Sequence, residues 1–71
     1  MVAVILFYSS SHALRAEQVL KEKQIACKLI PVPRHLSSDC GVCLRILRAD
    51  EPAARQALQD AGVHVEGVYE T

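Results

Sequence analysis

Two hydrophobic periods alternate along this chain. Val2-Ala3-Val4-Ile5-Leu6-Phe7-Tyr8 is a continuous apolar run, partly β-branched and aromatic, bounded by Ser9-Ser10-Ser11. A short run with such a boundary predicts a buried strand. From Ser11 the period changes. Ala13, Ala16, Val19 and Leu20 recur at helical spacing with Leu14 beside them, and Arg15, Glu17, Gln18, Lys21 and Glu22 fill the other faces. The serines supply N-caps, and Lys21 and Lys23 suit the C-terminal dipole. Ile25 to Ile30 predicts a second strand, which ends at Pro31-Val32-Pro33 because prolines so close cannot continue a central ladder. Arg34 to Gly41 reads as a polar loop and Val42 to Leu47 as a third strand. A second helix starts at Asp50-Glu51-Pro52, carries an apolar stripe of Ala53, Ala54, Ala57, Leu58 and Ala61, and stops at Gly62. Val63 to Tyr69 closes the pattern as a fourth strand.

The segment from Ala16 to Glu22 lies over Ala54 to Asp60 at an offset of 38, with Ile25 over Val63. Any two amphipathic helices resemble each other, so the echo is weak. It agrees with the element order β-α-β-β-α-β, the ferredoxin-like α+β arrangement: a two-layer sandwich of an antiparallel sheet with two helices on one face. In that topology the first two strands run the same way and the third returns. The loop after the first strand, with Ser11 and His12, and the loop with Arg34, His35, Cys40 and Gly41 then lie at one end of the sheet. The first helix also opens there, and its unpaired N–H groups attract anions.

Composition narrows the function classes. The chain has 71 residues, 51% of them hydrophobic, which fits a single domain over residues 1–71 and argues against disorder. Eight basic and eight acidic residues cancel, so the basic footprint of a nucleic-acid binder is missing. A core this small leaves little room for a deep active site. The N-terminal apolar run lacks the basic flank of a signal peptide and falls short of the roughly 20 residues of a membrane helix, so a cytoplasmic protein without membrane contact is expected. The first strand is apolar on both faces, Val2, Val4 and Leu6 on one and Ala3, Ile5 and Phe7 on the other. That suits either a central strand or an open sheet face packed on another subunit as a homo-oligomer.

Three cysteines cannot close a disulfide framework within one chain. Cys40 precedes Gly41 in the polar loop, where His35, Arg34 and His12 would lower its pKa and the glycine would permit close backbone approach. Cys43 follows at C-x-x-C spacing, but the motif runs into a strand and not into a helix, which disfavours a thioredoxin-type dithiol. Alternation puts Cys43 on the outer face with Arg45, with at most a minor role as a resolving thiol. Cys27 alternates with Ile25 and Leu29 and reads as a small packed hydrophobe. His35, Cys40, Cys43 and His12 would form an incomplete metal set, since structural zinc sites show two clear ligand pairs. The site residues selected are therefore Cys40, with Cys43 second and Gly41, His12, His35, Arg34 and Ser11 as binding or tuning groups; no metal is assigned. No Gly-rich phosphate loop is present.

Ser11-His12-Ala13-Leu14-Arg15-Ala16-Glu17, Lys28-Leu29-Ile30-Pro31-Val32-Pro33-Arg34 and Ser37-Ser38-Asp39-Cys40-Gly41 together resemble a family of small bacterial domains described as Se/S carrier-like. The resemblance spans nearly the whole chain and implies sulfur or selenium handling, with Cys40 carrying the chalcogen. There are two departures. Cys43 stands where the family pattern has a small apolar residue, so no dithiol role is implied. Gln24 stands where a helix-ending glycine is typical. The expected mechanism is a persulfide or selenosulfide on Cys40, received from a donor protein such as a cysteine desulfurase and passed to an acceptor protein. No cofactor is expected beyond that covalent sulfane sulfur or selenium. The rival readings are a non-catalytic binding or regulatory module and a small Cys/His metal-binding domain.

Overall fold

Strand β1 (Val2–Phe7) is buried along nearly its whole length because it has a hydrogen-bonded neighbour on each side. The structure is a computed structural model and describes residues 1–36 and 41–70. After β1 come α1 (Ser10–Glu22), β2 (Cys27–Pro31), β3 (Val42–Leu47), a 3-10 turn at Arg48–Asp50, α2 (Glu51–Asp60) and β4 (Val65–Glu70). The sheet order is β2-β3-β1-β4 and every neighbouring pair is antiparallel. This is the α+β, ferredoxin-like arrangement expected from the sequence. No described helix is long and apolar enough to cross a membrane.

The two faces of β1 serve different cores. Ala3, Ile5 and Phe7 point into the main core, where they meet Ala13, Ala16 and Leu20 of α1, Ala54 and Leu58 of α2, and Leu44 and Ile46 of β3. Val4 and Leu6 point the other way and form a second, smaller core with Cys43, over which Ile30, Val32 and Leu36 pack. The double-faced apolarity of the strand is thus satisfied by its central place and by the chain's own loop.

Both helices end in the same way. The Gln24 and Ile25 amides donate to the Lys21 and Leu20 carbonyls, at 3.0 and 2.9 Å. The Gly62 and Val63 amides donate to those of Gln59 and Leu58, at 3.1 and 2.9 Å. This pair of bonds is a Schellman motif, which satisfies the last helical carbonyls and needs a left-handed residue after the cap. That residue is Gln24 (φ 60) in one case and Gly62 (φ +74) in the other. The weak echo at an offset of 38 is therefore geometric: each half of the chain closes its helix identically.

The same bonds correct two boundaries. The sequence pattern starts the second strand at Ile25 and the fourth at Val63, but those amides are used by the helix ends. The ladders begin two residues later, at Cys27 and Val65. Leu14 lies beside the apolar stripe of α1, as its spacing predicts. It is 54% exposed, because Ala13, Ala16 and Leu20 define the buried stripe and Leu14 lies about 100° around the helix from it. Ala53, counted in the stripe of α2 from the sequence, is a correction: it is exposed, one position round the helix from the buried Ala54. Pro31 is tolerated in β2 because β2 is an edge strand.

Candidate functional site

The chemistry-bearing loops gather at the end of the sheet where β1 finishes. Leu6 pairs with Cys43 and Pro31 with Val42, so Tyr8 and Ser9, Val32, and Gly41 all leave the sheet on that side. Helix α1 opens there. Its N-cap is Ser9, whose hydroxyl accepts the His12 amide at 3.3 Å and is also hydrogen-bonded to His12 Nδ1. Ser11 is exposed in the first turn and leaves the capping to Ser9.

The second loop is held at both ends. The Val32 amide donates to the Gly41 carbonyl at 3.3 Å, and the Leu36 amide closes a turn on the Pro33 carbonyl at 3.0 Å. Arg34 and His35 are exposed within that turn. Gly41 has φ +79, a left-handed conformation that side-chain-bearing residues rarely adopt. Glycine is required here by backbone conformation, a reason additional to the close approach foreseen from the sequence. Ser37, Ser38, Asp39 and the leading candidate Cys40 lie outside the described residues, bracketed in sequence by Leu36 and Gly41.

Cys43 is on the outer face, as alternation predicts, yet it is wholly buried. Leu36, an apolar residue in the loop read as polar, and Val32, between the two prolines before that loop, pack over Cys43 together with Ile30. Its Sγ lies 3.9 Å from the Pro31 carbonyl oxygen, within reach of a weak S–H···O contact. A thiol so enclosed is shut off from a bulky attacking partner, since exchange rates depend on access.

Cys27 sits at the opposite end of the sheet. It is partly buried against the main core, and its thiol is 4.0 Å from the Glu17 carbonyl oxygen. Burial pushes this thiol's pKa up, the Glu17 carboxylate adds to the rise, and Lys21 opposes it. A thiol held protonated is a poor nucleophile. This agrees with the packed-hydrophobe reading.

His12, Arg34, His35 and Gly41 are thus brought to one end of the fold. Among the described residues no hydrogen bond or ion pair links His12, Arg34 and His35 to one another. Nor do three His, Cys, Asp or Glu side chains converge as a metal set would. His64 is exposed just before β4. Sequence reasoning missed the cover that Val32 and Leu36 place on Cys43; the signal was an apolar Leu36 in an otherwise polar loop, with Val32 between the prolines before it.

A family model described as "Putative Se/S carrier protein-like" matches residues 3–70. No curated protein and no solved structure matches the chain.

Proposed function

The chain belongs to the Se/S carrier protein-like family, and on that premise we propose that it carries a sulfane sulfur or reduced selenium on Cys40. The family match across residues 3–70 carries this reading. The arrangement of the described residues supports it. The α1 N-terminus and Arg34 supply positive potential at the end of the sheet from which Gly41, the neighbour of Cys40 in sequence, departs.

The step is a sulfur transfer with no external oxidant. The Cys40 thiolate attacks the terminal sulfur of a donor persulfide. A new S–S bond forms on Cys40, the donor's S–S bond breaks, and the donor cysteine leaves as a thiolate. The terminal sulfur ends as a persulfide on Cys40, more acidic than a thiol, so positive potential at that end of the sheet would favour its anion. A selenium atom in the terminal position follows the same balance and leaves a selenosulfide. An acceptor thiolate then repeats the exchange. Ser11, His12, Arg34 and His35 would tune the charge of the loaded anion, and Cys43 would act as a resolving thiol only if its cover opened.

The test is an intact mass after incubation with a cysteine desulfurase and cysteine. The protein should gain the mass of one sulfur atom, and Cys40→Ser should gain none. Full cellular function retained by Cys40→Ser would instead favour a binding or regulatory module.

A further inference from the structure

On the helix-covered side of the molecule several acidic side chains stand with cations of their own: Glu17 of α1 with Lys21, Glu51 of α2 with Arg55, and Glu70 with Arg48. On the bare side, the register sets Lys28, Arg45, Val4 and Tyr69 in one row, and Ile30, Cys43, Leu6 and Gly67 in the next. The second row is closed over by Val32 and Leu36.

In the first row Val4 is buried, but the side chains flanking it are exposed. Lys28 and Arg45 are exposed and lie directly opposite each other. Like charges so placed cost stability. Neither side chain has a hydrogen bond or ion pair among the described residues. Tyr69 is 43% exposed, and its ring lies over Gly67, where an added Cβ would come within 2.9 Å of Cε2. Leu47, in register with Val2, is 52% exposed. A concavity of about 240 Å³ opens beside the two cations, lined by Val2, Ala26, Lys28, Arg45 and Leu47 among others.

We propose that this open half of the bare sheet face docks the protein that loads Cys40, through an acidic segment of that protein seated against Lys28 and Arg45. Apolar side chains of the same segment would rest on Val2, Leu47 and Tyr69. The identity of the partner as a sulfur donor rests on the carrier reading; the surface chemistry does not. Two adjacent cations with no ion pair among the described residues, beside a concavity with apolar walls, match carboxylates flanked by apolar groups. A second copy of this chain fits poorly, because two-fold packing on this face would bring one Lys28–Arg45 pair toward the other. Single-stranded RNA fits poorly as well, because the row offers one ring and the chain has no net positive charge. Arg45 lies four strand residues from Gly41, roughly 13 Å, so one docked protein spans both places.

The test measures association of a purified cysteine desulfurase with the wild-type protein and with Lys28→Glu/Arg45→Glu, at low and high salt. In parallel, Cys40 is loaded from inorganic polysulfide, which needs no docking. Wild-type association should weaken with salt, and the double variant should bind about tenfold more weakly or worse. Lys28→Gln/Arg45→Gln should fall between, and all three proteins should load equally from polysulfide. Equal association of the double variant, absence of wild-type association, a dimer formed through this face, or comparable binding of a mixed-sequence single-stranded RNA would overturn the inference. Failure of the carrier reading looks different: no adduct on Cys40 from either donor, with the charge-dependent association intact.

Discussion

Gln24 and Gly62 occupy the same position in their two helix ends, each the left-handed residue of a Schellman motif, with φ 60 and +74. Only one of them is a glycine. A non-glycine residue in this conformation costs about 1–2 kcal/mol, partly offset by the greater freedom glycine loses on folding. Gln24→Gly should therefore stabilise the protein by about 0.5–1 kcal/mol. Gly62→Ala, in open space but strained by its φ, should destabilise it by about 1 kcal/mol. Urea denaturation of both variants, with unchanged slopes, checks the pair.

Ser9 caps the helix that opens at the candidate site. Ser9→Ala removes the acceptor for the His12 amide and the partner of His12 Nδ1, and should cost about 1 kcal/mol. Ser11→Ala should leave stability nearly unchanged, because Ser11 makes no cap. A difference in melting temperature between the two variants is the readout.

The burial of Cys43 depends on Val32 and Leu36. In a Cys27→Ala, Cys40→Ser background, alkylation of Cys43 under native conditions should be slow and limited by opening of the loop. Leu36→Ala should speed it several-fold. An equal rate in both proteins would show that Leu36 is not the cover.

Cys27 gives a pH dependence with a definite sign. Its folded pKa is raised, by burial first, then by Glu17, against Lys21. A raised pKa contributes stability that is present below the ordinary thiol value of about 8.5 and is lost as pH rises through the folded value. Unfolding free energy should fall on the alkaline side, and Cys27→Ala should fall less steeply over the same range.

These outcomes also bear on what could be read from the chain itself. The bounds of β3, the stop at Gly62 and the packing of Cys27 follow from local periodicity and turn chemistry, and they stand in the structure. The starts of β2 and β4 were displaced because the Ile25 and Val63 amides are committed to helix ends, a choice that alternation cannot display. Ala53 was misplaced because an apolar residue beside a stripe looks like part of it. The enclosure of Cys43 and the pairing of Lys28 with Arg45 are products of register, which joins residues distant in sequence. At the candidate site, the gathering of the two loops at one end was legible from topology, whereas the Ser9–His12 contact required coordinates.

The central claim is that Cys40 carries the chalcogen. Peptide-resolved mass spectrometry after incubation with a cysteine desulfurase and cysteine, with persulfides trapped by alkylation, tests it most directly. The account predicts one added sulfur on the peptide containing Cys40 and none on Cys27. Unmodified Cys40, or an adduct confined to Cys27 or Cys43, would contradict it.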